Sequence, residues 1–202
     1  PGDANQSGFM RYRLALRYGW VAFLPPFLSG FLESSLNALY PVYALRKNFD
    51  LSSVSIILAA FAVGAILAQF PLGILGDKIG RKKVIVCGLI GGAGFFLLGS
   101  FVEYSSWLVA AVFLLAGMCA GSMFSLGITY MADLTPKELL PTGNLLCGIF
   151  FSLGSLSGPF LGGIYLQIVP QVGFLVLVAV MLLAVAVMIL LYGQQKLKAG
   201  VH

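Results

Sequence analysis

Glu33 is the only acidic or basic side chain deep within an apolar run of this 202-residue chain, about halfway along the run from 20 to 45. A charge in lipid costs about 2.5–3.5 kcal/mol or more, so such a carboxyl group must face protein or a watery cavity, where burial favours its protonated form. That is the chemistry of a proton carrier. Ser29, Glu33 and Asn37 recur at four-residue spacing, with Tyr40 three further on, which places them along one helix face. The stripe reads as a cavity lining for proton or substrate; the alternative is a neutral Glu33 hydrogen-bonded to a neighbouring helix. Gln69 and Phe70, and Phe150, Phe151 and Ser152, are weaker lining candidates. Met118, Ser122, Ser125 and Thr129 make a mildly polar face that suits a pore or, more commonly for Ser and Thr, a helix contact. An aromatic cavity with one carboxylate suits lipophilic, often cationic compounds.

Charge concentrates instead in a short connection reading Gly73-Ile74-Leu75-Gly76-Asp77-Lys78-Ile79-Gly80-Arg81-Lys82-Lys83. Gly73 and Gly76 would let another helix approach closely, Gly80 allows a tight turn, and Asp77 stands beside four cations in a seven-residue window. A bland basic loop explains the cations but not the Gly and Asp spacing. Farther on, Gly154, Gly158, Pro159, Gly162 and Gly163 combine a small-residue groove with a proline that removes a helix hydrogen bond, the makings of a packed hinge. Enzyme chemistry finds no support: the one histidine is His202 and no run carries a nucleophile–base or paired-acid arrangement. Cys87, Cys119 and Cys147 lie in apolar runs without metal-ligand spacing, so neither a disulfide nor a metal is expected.

The elements that must position these residues follow from composition. Hydrophobic residues make up 59% of the chain and charged ones 9%, against about 25% charged in a soluble domain. Mean hydropathy is +0.98. Apolar runs predict six transmembrane helices near 20–45, 52–76, 84–102, 107–131, 144–168 and 173–192, an all-α membrane fold, because a backbone in lipid must satisfy its own hydrogen bonds. Residues 1–18 read as a polar linker and interfacial segment, 19–193 as the membrane domain and 194–202 as a cytoplasmic tail. Of twelve Lys and Arg, ten fall on one side (Arg11, Arg13, Arg17, Lys78, Arg81, Lys82, Lys83, Lys137, Lys196, Lys198) and Arg46 and Lys47 on the other. The positive-inside rule then places both termini in the cytoplasm, and it accounts for the net charge of +5 without nucleic acid. Thr135, Pro136 and Glu138 suggest a capping box opening the helix that leads into the fifth span.

The 73–83 connection resembles that of the major facilitator superfamily, Gly-x-x-x-Asp-(Arg/Lys)-x-Gly-(Arg/Lys)-(Arg/Lys), at every fixed position. The resemblance implies one six-helix half built of two inverted three-helix repeats, with a site at the bilayer midplane between halves. It implies that Asp77 and Arg81 belong to a cytoplasmic latch stabilising the outward-facing state, with Asp133 at the family's acidic position ending the fourth helix. The expectation is that Arg81 pairs with Asp133 while Asp77 faces a helix N-terminus of the other half. The first helix of each half lines the central cavity in this family, in agreement with the Glu33 stripe. The fifth-span glycines resemble the antiporter motif of drug-efflux members, although plain packing explains them about as well. The function implied is proton-coupled efflux of a small, lipophilic molecule, with a passive facilitator or a membrane receptor or scaffold as alternatives. No cofactor is expected beyond a proton as coupling ion. The expected partners are a small-molecule substrate, the lipid bilayer and the other six-helix half, in a bacterial-type inner or plasma membrane. The polar opening and absent initiator Met read as linker and C-terminal half of a longer chain, a split or truncated N-terminal half being the alternative.

Overall fold

The computed structural model describes the backbone over 2–168 and 173–198 and side chains over 8–168 and 173–192. The expected 194–202 tail, with Lys196, Lys198 and His202, lies outside the described side chains.

Apolar runs of this length have one way to satisfy their backbone in lipid, and the described residues are helical nearly throughout. The helices are α1 (Gly2–Gly19), α2 (Leu24–Ala38), α3 (Tyr40–Arg46), α4 (Leu51–Ile79), α5 (Arg81–Phe101), α6 (Ser106–Ala120), α7 (Met123–Leu134), α8 (Leu140–Ile168) and α9 (Phe174–Lys198), with 3-10 turns at Trp20–Phe23 and Lys137–Leu139. Asp50 starts α4 by accepting hydrogen bonds from the Ser53 amide and hydroxyl, which hold its carboxyl below the usual range, the hydroxyl contributing most. Gly80, at φ +97°, makes the turn between α4 and α5 in a conformation that a side chain would strain.

Among the described residues, five segments are long and apolar enough to cross a membrane: Leu51–Ile79, Arg81–Phe101, Ser106–Leu134, Lys137–Ile168 and Phe174–Tyr192. The span expected at 20–45 departs from a single helix. It consists of a 3-10 turn, α2 and α3, with a break at Leu39, because Pro41 has no amide proton to offer the Asn37 carbonyl. The 107–131 span is likewise interrupted, at Gly121 and Ser122, where α6 meets α4: a side chain at Gly121 would overlap Ala65, and the Ser122 hydroxyl bonds the Ala65 carbonyl at 3.2 Å. Residues 2–19, within the segment read as polar linker and interfacial approach, are helical. The Thr135 capping box does not form; Pro136 precedes the 3-10 turn without a side-chain cap, and Arg11 reaches across to the Glu138 carbonyl at 3.1 Å.

Among the described residues the most extensive helix contacts are α2 with α8 and α4 with α6, followed by α5 with α9 and α5 with α6. The first two share one device. A Cβ at Gly30 would overlap the Phe151 carbonyl and one at Gly154 the Phe27 carbonyl; likewise Gly64 meets the Leu114 carbonyl and Gly117 that of Phe61. Each pair therefore crosses backbone against backbone, with glycine facing carbonyl in both directions. Phe23, Phe31, Phe96, Phe113 and Phe174 fill the core. The outer faces of α4 and α8 leave Ile66, Phe70, Leu156 and Phe160 largely exposed, surface that suits lipid or another helix and not water.

Candidate functional site

Beside the glycine contact by which α2 crosses α8, the helix turns Ser29, Glu33 and Asn37 toward α4. These three line a hollow of about 290 Å³ whose far wall is Leu58, Phe61, Ala62, Ala65 and Ile66 of α4, closed by Ala120 and Gly121. Glu33 and Asn37 are exposed to it and Ser29 is half-buried. The Asn37 amide donates to the Glu33 carbonyl at 2.8 Å, which orients the amide along the stripe. The ion pairs among the described residues are Lys47–Glu103, Arg81–Asp77 and Arg81–Asp133, so the Glu33 carboxylate keeps its lone pairs for a proton, water or ligand. No described neighbouring helix receives Glu33 as a hydrogen-bonded glue residue.

Two of the residues read with the stripe lie elsewhere. Tyr40 is buried, its ring 4.8 Å from that of Phe113, because the break at Leu39 shifts the helical phase before Tyr40 is reached. Gln69 donates to the Ser125 hydroxyl at 3.1 Å and lines an open groove with Phe70, Gly73 and Asp77 that adjoins the Glu33 hollow at Ile66. Of the mildly polar face in the fourth span, Ser122, Ser125 and Thr129 are spent on contacts to α4 or on their own helix, the packing use of such residues.

At the α4–α5 turn, Arg81 gathers three acceptors. It donates to the carboxylates of Asp133 and Asp77, the latter at 2.8 Å, and to the Thr129 carbonyl at 3.0 Å. The guanidinium is 25% exposed, Asp133 50% and Asp77 64%, so Asp77 keeps most of its surface open while paired. Gly76 makes room for the Arg81 stem, 3.3 Å from where its own Cβ would stand; Gly73 has no neighbour within 4 Å and receives no helix among the described residues. Lys78 is exposed.

In α8, Gly154 and Gly158 pack on α2, and Gly162 on Leu39 at the α2–α3 break. Gly163 has nothing within 4 Å and takes no part in the contact. Pro159 lies inside α8, where it deprives the Ser155 carbonyl of its helical partner. The proposed hinge thus backs directly onto the helix that carries Glu33.

Sequence reasoning passed over the α4 wall, whose Phe61, Ala62 and Ala65 carry no polar signal, and a cluster at the opposite end from Arg81. There Tyr43 donates to Glu103 and Lys47 pairs with the same carboxylate at 2.9 Å. Tyr43 and Lys47 share a helix face by their spacing, but nothing local links them to Glu103 in a distant loop.

A profile described as Major Facilitator Superfamily matches residues 23–200. The chain is similar to an MFS-type transporter of Bacillus subtilis, YfkF, 53% identical over 164 residues that are 81% of this chain and 41% of that protein. It is also similar to the 4-hydroxybenzoate transporter PcaK of Pseudomonas putida, at 26% over 82% of this chain and 37% of that one. A third relative, the MFS-type transporter YcaD of Shigella flexneri, is 25% identical over 69% of this chain and 36% of its own length. The chain thus spans about two fifths of the length of the curated relatives it matches.

Proposed function

The chain belongs to the major facilitator superfamily, and on that footing we propose that it forms one six-helix half of an alternating-access transporter that moves a small molecule in exchange for protons. Members of the family are integral membrane transporters that bind small molecules within the membrane, not enzymes. In this reading α2 with α3 makes the first crossing and α6 with α7 the fourth. The pairing of α2 with α8, α4 with α6 and α5 with α9 maps onto itself when crossings one to three are exchanged with four to six, which supports inverted repeats. Both termini would lie in the cytoplasm of a bacterial cell, facing the same side as Arg81. The other half would close the hollow and complete the site.

The observation that carries the proposal is the position of Glu33: an unpaired carboxylate with Asn37 and Ser29 in a hollow otherwise lined by apolar side chains. In this reading Glu33 loads a proton on one side and releases it on the other. Among the described residues no cation lines the hollow. That favours a neutral or cationic lipophilic substrate over an ionised aromatic acid of the kind named for the Pseudomonas relative. Arg81, Asp77 and Asp133 serve as the cytoplasmic latch, and the α8 glycines and Pro159 as the hinge behind α2.

The test is proton flux in proteoliposomes made with the full-length protein and challenged with a panel of lipophilic cations and neutral aromatics. Antiport requires that at least one compound drive proton movement against its own gradient. Substrate movement without proton flux would replace antiport by facilitation, and neither flux would leave a receptor or scaffold.

A further inference from the structure

The first crossing is jointed, and the joint sits one turn from Asn37, the last residue of the stripe. Beyond it α3 is seven residues long, freed from α2 by Pro41 and Leu39. What holds α3 is a cluster that the latch does not use. The Tyr43 hydroxyl donates to one oxygen of Glu103 and the Lys47 ammonium pairs with the other at 2.9 Å, while lying 5.6 Å above the Tyr43 ring. Glu103 belongs to the short connection between α5 and α6 and its side chain is only 17% exposed. Gly173, at the start of α9, leaves room for the phenol: a Cβ there would stand 2.9 Å from the hydroxyl.

We propose that Glu103, Tyr43 and Lys47 form a clamp that fixes α3 to the α5–α6 connection, and that Glu103 is through it a positioning residue for the end of the hollow beside Asn37. The clamp lies at the opposite end of the bundle from Arg81. It acts within this chain and stands whether or not Glu33 carries a proton. Its physics is asymmetric. A carboxylate so little exposed depends on its partners, so removing Lys47 leaves a partly buried charge held by Tyr43 alone, which α3 must move aside to hydrate fully. Removing both charges leaves nothing to hydrate.

The experiment labels Ala62→Cys, on the α4 wall of the hollow, with an impermeant maleimide. It uses full-length protein lacking other reactive cysteines, in right-side-out and inverted membrane vesicles. On the face that carries Lys47, Lys47→Met is expected to raise the labelling rate roughly tenfold, the scale of coupling between contacting residues. Lys47→Met combined with Glu103→Gln should return it to near the parent rate, and Tyr43→Phe should give an intermediate rise. Leu89→Ala, a core substitution far from the clamp, should leave the rate unchanged. The proposal is overturned if the double variant labels as fast as Lys47→Met or faster, if Lys47→Met labels at the parent rate, or if Leu89→Ala raises the rate equally.

Discussion

Arg81 illustrates how much a single side chain owes to its acceptors rather than to its charge. An exposed ion pair contributes about 0–1 kcal/mol, so two half-open pairs would not explain a fixed arginine; the third bond, to the Thr129 carbonyl, ties the α4–α5 turn to the backbone of α7. Exchanging the charges therefore tests geometry as well as sign. Arg81→Asp and Asp133→Arg should each reduce transport strongly, and the pair together should recover a measurable part of it, checked by substrate uptake in vesicles; no recovery would dissolve the latch. The Arg81–Asp133 contact was legible in sequence through the resemblance alone, since 52 residues separate the partners. Asp77 was read as facing a helix N-terminus of the other half; its four-residue spacing from Arg81 also lets it pair with that residue within this chain. Tyr40 was misplaced for a local reason: spacing arguments assume an unbroken helix, and the break at Leu39, which Pro41 imposes, comes before Tyr40.

For the helices, the repeated unit is an aromatic or leucine three residues before a glycine: Phe27 and Gly30, Phe61 and Gly64, Leu114 and Gly117, Phe151 and Gly154. In all four the glycine admits a partner's carbonyl. Gly117→Ala and Gly154→Ala are expected to cost about 1–3 kcal/mol each by forcing the crossings apart, read as a lower thermal midpoint in detergent. Gly163→Ala, with open space around it, should leave the midpoint unchanged. The four copies stood in the sequence, but what makes them a set is the reciprocal crossing, a property of two helices that no single run displays. The same limit explains the hollow: its α2 side was visible as a polar stripe, and its α4 side, made of Phe61 and alanines, looked like any lipid-facing surface.

Taken as a whole molecule, the chain separates its two ionic clusters to opposite ends, Arg81 with Asp77 and Asp133 at one and Glu103 with Lys47 at the other, with Glu33 between them in an apolar wall. Composition alone marked the chain as a membrane protein of helices. The number of crossings is harder to read because the 20–45 segment, expected as one span, is built of pieces each too short to cross alone. If α2 and α3 together cross, an amino-terminal tag must lie on the same face of sealed vesicles as Lys83→Cys, the cytoplasmic one, with Tyr104→Cys on the other; a tag on the Tyr104→Cys face would contradict the six-crossing arrangement. The central claim, that Glu33 exchanges a proton in the course of transport, is tested most directly by comparing substrate-driven proton flux of the full-length protein and its Glu33→Gln variant across pH. An amide cannot carry the proton, so the account predicts that Glu33→Gln still binds substrate but loses proton flux and the pH dependence of transport. Proton-coupled transport with an unchanged pH profile in Glu33→Gln would contradict it.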